Sequence, residues 1–410
     1  MTDTAKENED DEKEWTSIRN EFMRPAEEVY LNTGSFGVMP RPVWNQFQED
    51  LAMLERNPTR VRRTYSAALD DVRHDLGRFL NVPGEDVALA TNVTTAMNMV
   101  YLGMDWNTGD EILASDHEYG AINNILHYVS RRHGVTINRA SIPRPPANDN
   151  EVVASFAEAI TDRTRLILCS HIATDTGLIL PLRQLSELAH ERDILIAVDG
   201  AHGPGMLPLD LAETGCDFYG GNCHKWLCAP KGTGILYAHK DRQCLLNPTQ
   251  VSWGYQPEGP RAEGDRLTIR NRPFMWELEV VGTRDLACFT AIPAAIAFQE
   301  AIGRERILGR YRQLAGHIRK RLLDSGWCDL LTPVDPMLGA GISAFHLHGF
   351  GEQDLDGRLY DEYRITVRAE LRRRDLHWMR VSSHICNSFG ELDVLTEALT
   401  RIRHSPAGRQ

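Results

Sequence analysis

Seven short runs of apolar and β-branched residues, set among stretches of helical spacing, constrain this chain more than any other feature. The runs are DVALA (86–90), EILAS (111–115), VTINRA (135–140), RLILCS (165–170), ILIAV (194–198), DFYGG (217–221) and GILYA (234–238). Around and between them, apolar residues recur near a 3.6-residue period at 64–80, 119–133, 151–161 and 183–192. Strands that alternate with helices predict an α/β fold with a mainly parallel, seven-stranded sheet covered on both faces. Residues 245–282 are irregular and rich in Gly, Pro and Arg, a length that points to functional loops. Beyond 285 the pattern reads helix (285–301), helix (303–325), strand (342–347), helix (354–363), strand (378–383) and helix (389–402), a smaller α/β domain. The expected organisation is therefore a large domain over 45–284, a small C-terminal domain over 285–410, and an N-terminal segment, 15–44, packed with the small domain. Residues 1–14, MTDTAKENEDDEKE, are too polar to form core and read as a disordered, solvating tail.

Charge narrows the partners. With 45 Lys and Arg against 57 Asp and Glu the net charge is -12, which repels phosphate backbones and anionic lipid and argues against nucleic acid. No apolar stretch approaches the roughly 20 residues that cross a bilayer, and the basic-then-apolar order of a signal peptide is missing, so the expected location is the cytoplasm. The eight cysteines are scattered without a C-x-x-C pair, which suits reduced thiols and offers no zinc set.

In open α/β sheets, ligands bind beyond the carboxyl ends of the strands. At those ends stand Thr91-Asn92-Val93-Thr94-Thr95; Asp116-His117-Glu118-Tyr119; His171, Thr174 and Thr176; Asp199, Gly200 and His202; and Asn222, Cys223, His224 and Lys225. Singly each has a structural reading: Thr94 a helix cap, Asp199 an acceptor for loop amides, Lys225 a solvated side chain, His117 and His202 hydrogen-bonded imidazoles. Jointly they meet one set of demands. Val93, Thr94 and Thr95 offer helix N-terminal amides and hydroxyls to a phosphate. Asp199, ending a buried strand, suits a carboxylate that keeps a pyridine nitrogen protonated. Lys225 supplies an amine nucleophile, and His117 or Tyr119 a flat ring to cover a cofactor. Neither G-x-G-x-x-G nor G-x-x-x-x-G-K-[ST] occurs, which counts against a dinucleotide or nucleoside triphosphate.

VDGAHGPG (198–205) and GGNCHKWLCAPKGTGILY (220–237) resemble the aspartate and lysine motifs of class V aminotransferase-type enzymes of fold type I, which use pyridoxal 5'-phosphate (PLP). The likeness extends through YLNTGSFG (30–37), TNVTTAMN (91–98), SDHEYGA (115–121), SHIATDTGLILP (170–181), VSWG (251–254), GTRD (282–285) and MRVSSHICN (379–387). Within that family it is nearest to isopenicillin N epimerase-like and cysteine desulfurase-related proteins. The resemblance implies Lys225 as the Schiff-base lysine and Asp199 as the pyridinium partner. It implies His202 on the cofactor's phenolic oxygen, Thr94 and His224 on the phosphate, and His117 stacked on the ring with Tyr119 close by. Arg380 would fork onto the substrate's α-carboxylate, with Asn32 and the GSFG loop as the alternative reader. Thr283 would reach the phosphate across a homodimer interface, giving a composite site. Three positions depart from the family pattern. No cysteine follows ITVR (365–368) until Cys386, which argues against desulfurase persulfide chemistry; His171 stands where Asn is usual, leaving its support of the cofactor open; Cys223 replaces the usual Ser and reads as a buried thiol. The implied activity is at Cα or Cβ of a free amino acid, with epimerisation, β-elimination and transamination all open. The substrate side chain is undetermined, since the loops at 30–37, 250–282 and 345–380 hold no decisive charge constellation; the arginines at 60, 62 and 63 suit an acidic distal group or, more simply, an exposed helix face.

Overall fold

The computed structural model describes residues 3–252, 255, 268–269, 272–373 and 376–405, so much of the 245–282 loop region, including part of VSWG, lies outside the described residues. The side chains of Arg62 and Arg63 do too, while Arg60 is exposed. All seven expected strands form: β1 Val87–Ala90, β2 Glu111–Ser115, β3 Thr136–Ala140, β4 Thr164–Ser170, β5 Leu195–Gly200, β6 Phe218–Asn222 and β7 Gly234–Ala238. They make one sheet in the order β1-β7-β6-β5-β4-β2-β3. Only β7 runs against its neighbours, β1 and β6. Residues 223–233, all that separate β6 from β7, are too few for the helical crossover that a parallel return needs.

Successive residues along the strands enter opposite layers. Leu166 and Leu168 join one apolar cluster with Ile112, Ala114, Ala197 and Phe218. Ile167 and Cys169 join the other with Leu113, Ile196, Val198 and Tyr219. Helices therefore cover both faces, and the inner strands read as continuous apolar runs because neither of their faces meets water, whereas the edge strand β3 is partly exposed.

The small domain holds a four-stranded antiparallel sheet, β8 Cys328–Leu330, β9 Ile342–His348, β10 Arg368–Arg373 and β11 Leu376–Ser382, in the order β8-β9-β11-β10. Strands β8 and β10 go beyond the sequence reading. RAELRR, the β10 sequence, lies at a sheet edge, and its alternation is confined to Ala369 and Leu371 among four charged residues, too short a pattern to mark a strand. Val29–Tyr30 pairs with Ile365–Thr366, and Leu31 enters the small domain's apolar cluster.

The acidic N-terminal run differs from the expected tail. It lies in helix Asp3–Asn20, in which Arg306 binds Asp11 at 2.8 Å and Glu14 at 2.5 Å, and buried Arg310 binds Glu12. Carboxylates that look like a solvated run in sequence are the partners of two arginines almost three hundred residues away, and Trp15 is buried beside them. No described helix is long and apolar enough to cross a membrane, and no described His, Cys, Asp or Glu side chains group as a metal would require.

Candidate active site

The carboxyl ends of β4, β5 and β6, the start of the helix Val93–Gly103, and the loop 34–36 enclose a cavity of about 360 Å3 whose far wall is Arg368 and Arg380 of the small domain. The N-terminal loop is laid directly on the lysine turn. Gly37 donates its amide to His224 O at 2.9 Å, and a Cβ on Gly37 would sit 1.9 Å from Lys225 O. No side chain fits there, so the glycine of GSFG is a condition of closure.

Lys225 and Asp199 set the electrostatics. Burial, reinforced by the Arg380 charge and opposed by Asp199, brings the Lys225 amine down to about 7. Asp199 is 3% exposed; burial raises its pKa, while the Ala201 amide, bonded to Oδ1 at 2.9 Å, and the Lys225 charge act the other way. A half-buried amine that is partly neutral near pH 7 can serve as nucleophile and as base. The neighbouring Cys223 thiol, wholly buried, is pushed up to about 12 and behaves as core.

Of the three helix-start residues, the structure brings two to the cavity. The Val93 amide already binds Asn222 Oδ1 at 2.8 Å. Thr94 lines the cavity beside it. Thr95 does not line it: its amide is capped by Asn92 Oδ1 at 2.9 Å and its hydroxyl meets Thr91 at 2.8 Å, the local cost of an Asn cap. His224 faces the cavity and bonds Thr233 O through Nδ1 at 3.1 Å, which leaves Nε2 for a ligand.

The two candidates for covering the ring are placed differently. Tyr119 lines the cavity and is 46% exposed. His117 is 4% exposed and outside it, with Nδ1 3.3 Å from Thr176 Oγ1 and Nε2 accepting from Arg144 Nε at 3.1 Å. The turn after β2 thus brings Tyr119 to the cavity and leaves His117 outside it. Between them Glu118 is buried and bound by Ser115 Oγ at 2.5 Å and by the amide and hydroxyl of Ser170 at 3.0 and 2.8 Å; burial raises it to about 7. His171 likewise stays outside the cavity, its Nδ1 2.9 Å from Tyr219 OH and its pKa lowered by burial to about 4; Thr174, three residues on, takes the place at the wall.

Arg380 extends from β11 with Nη1 donating to Thr174 Oγ1 at 2.6 Å and Nη2 to Asn32 Oδ1 at 3.0 Å and Ser35 Oγ at 2.9 Å. It is 4% exposed, its Nε has no partner, and no described carboxylate lies within ion-pair distance of it. Buried charges are ordinarily paired, so this guanidinium is arranged to receive an anion. Asn32 is not at the cavity surface: it holds Arg380 from behind. Thr283, exposed, lies instead beside a separate cavity of about 650 Å3 with Leu51, Glu55 and Trp276.

This donor set fits PLP: an amine, a facing carboxylate, a helix-start amide with an imidazole beside it, and an aromatic wall around one cavity. The sequence profile of the family described as aminotransferase class-V matches residues 29–394. Isopenicillin N epimerase of Amycolatopsis lactamdurans is 38% identical over 394 residues, covering 95% of this chain and 98% of that protein. The Streptomyces clavuligerus protein of the same name is 38% identical over 391 residues, covering 94% and 98%. Among solved structures, a C-DES variant with glycine covalently linked to its PLP cofactor matches with a TM-score of 0.83 and 25% identity, over 94% of this chain and 99% of that one. With this architecture and a match over most of its length, the chain belongs to the class-V aminotransferase family of fold-type I PLP enzymes.

Proposed function

We propose that this enzyme binds a free amino acid through Arg380 and epimerises it by exchanging the proton at Cα. The observation that carries the reading is the shared cavity of Lys225, a half-buried amine brought down to about 7, and Arg380, a buried guanidinium without a carboxylate partner among the described residues. The cofactor, when bound, supplies the electron sink that makes a Cα proton acidic. Asp199 would face its pyridine nitrogen, Thr94 and His224 its phosphate, His202 its phenolic oxygen and Tyr119 its ring. Lys225 removes the proton. For inversion, a second group must deliver one from the other side, and Tyr119 is the candidate: it enters from β2, three strands from the β6 turn that carries Lys225. A second copy of the chain would bring its Thr283 to the phosphate, making the homodimer the working form.

The 38% identity to two isopenicillin N epimerases supports epimerisation. The likeness to C-DES, a cystine C–S lyase, favours β-elimination as the second reading. No cysteine lines the cavity, and Cys386 is buried with its thiol pushed up to about 12, so a protein-bound persulfide finds no nucleophile here. The test is incubation of the PLP-loaded enzyme with single enantiomers in deuterated water, followed by chiral chromatography and mass spectrometry. Deuterium at Cα with inversion is expected. Loss of the Cβ substituent would assign a lyase, a 2-oxo acid an aminotransferase, and no Cα exchange with any amino acid would sink the reading.

A further inference from the structure

Trp226 follows Lys225 directly and has no exposed surface. Its Nε1–H donates to Nδ1 of His202 at 3.1 Å. An indole nitrogen donates and never accepts, so His202 Nδ1 must present its lone pair. On a neutral imidazole the one proton then resides on Nε2, which lies 3.3 Å from Thr174 Oγ1 at the cavity wall. Burial, with the charges of Lys225 and Arg380, holds the His202 ring neutral, its pKa well below the usual value. Thr174 Oγ1 also accepts from Arg380 Nη1 at 2.6 Å, so its lone pairs are taken and its own proton is turned to other use.

The indole has no freedom to turn away. Its ring meets Tyr311 edge-on at 5.2 Å and His384 at 5.9 Å, its carbonyl receives Gln299 Nε2 at 2.7 Å, and a Cβ on Gly341 would lie 2.7 Å from it. We propose that Trp226 is a positioning residue that fixes His202 in the Nε2–H tautomer, so that the cavity always meets a hydrogen-bond donor at that point. The proposal rests on the preceding reading only in taking the phenolic oxygen of PLP as the acceptor. The turn that aims the Lys225 amine therefore also sets, one residue later, the polarity of the imidazole across from it.

NMR of 15N-histidine-labelled protein decides the tautomer, with the His202 signals identified by their loss in His202→Gln. Between pH 6 and 9, with cofactor and without it, Nε2 should show the protonated shift and Nδ1 the unprotonated one. A protonated Nδ1, or titration within that range, overturns the proposal whether or not the protein handles amino acids as proposed. In the holoenzyme, Trp226→Phe keeps a packed ring and removes the donor. It should raise the pH midpoint of the bound cofactor's visible absorbance by roughly 0.5–1 unit, the shift that one neutral hydrogen bond to an anionic oxygen implies. An unchanged midpoint overturns it. In a His202→Gln background the side-chain amide needs no indole to orient its proton, and Trp226→Phe should shift nothing further; a shift that persists means the indole acts by packing alone. Should Trp226→Phe fail to fold, the wild-type tautomer measurement still decides.

Discussion

Replacing Arg380 with lysine keeps a cation in the cavity and removes the fork. The guanidinium offers Nη1 and Nη2 in one plane, held by Thr174, Asn32 and Ser35, and an ammonium cannot match a carboxylate at two points from there. One charge-assisted hydrogen bond is worth roughly 1.5–3 kcal/mol, and about 1.4 kcal/mol is a factor of ten. Arg380→Lys should therefore raise the KM for amino acids roughly tenfold to a hundredfold while leaving PLP affinity within about twofold. Because the Arg380 charge helps hold the Lys225 amine down, Arg380→Met should also move the pH–rate limb of that amine to higher pH, and Arg380→Lys should leave it in place. Steady-state kinetics across pH on an amino acid and its α-amide check both claims. Wild type should discriminate strongly against the amide and Arg380→Lys much less. Equal discrimination by the two proteins, or loss of cofactor from a folded Arg380→Lys variant, would refute the assignment of Arg380 to the substrate carboxylate.

Lys225→Ala should abolish turnover and the pyridoxyl adduct that borohydride fixes at position 225, without lowering the melting temperature, since an amine whose pKa burial depresses destabilises the fold near neutral pH; peptide mapping that finds the adduct at another lysine would contradict this. Asp199→Asn should fold, because an amide oxygen can still accept from the Ala201 amide, yet lose most activity; turnover near the wild-type level would remove Asp199 from the ring nitrogen. His171, lowered from 6.5 to about 4, stays neutral in the folded state while the unfolded chain takes up a proton, so its share of stability is present above pH 6.5 and lost as pH falls toward 4. Denaturant titrations should show the stability difference between wild type and His171→Phe shifting by about 2 kcal/mol between pH 7 and pH 5, and the same difference at both pH values would refute the neutral assignment.

Sequence pattern carries what repeats along the chain. The strands EILAS and GILYA are bounded as their residues predict, because buried β-branched runs flanked by polar ends have few other conformations. The motif positions Asp199, His202, His224, Lys225 and Arg380 all reach one cavity for the same reason: each follows or sits on such a strand. Which side chain of a turn faces that cavity is a matter of a few dihedral angles, and there the pattern runs out. Within DHEY it is Tyr119 and not His117 that lines the cavity, and within the loop after β4 it is Thr174 and not His171. Glu118 and Trp226 were equally hidden, since their parts depend on Ser170 and His202, partners that no local spacing ties to them. The pairing of Asp11, Glu12 and Glu14 was hidden because their partners, Arg306 and Arg310, lie almost three hundred residues along the chain.

The hydrogen bond from Arg380 to Asn32 joins residues 348 positions apart. A ribosome making this chain sets down the Gly37 loop early, then the strand ends with Asp199 and Lys225, and must continue to Arg380 before the cavity has its far wall. At roughly 5–20 residues per second that order imposes a wait of about 17–70 s between the two halves of one contact. For the last 155 residues of that interval (380 − 225), about 8–31 s, the lysine turn and its acidic partner lack their far wall. Closure is a long-range event, slow by topology. The grip on a substrate's carboxylate is therefore among the last properties the nascent protein acquires, and a chain released before Arg380 emerges carries the amine without the means to choose what it meets.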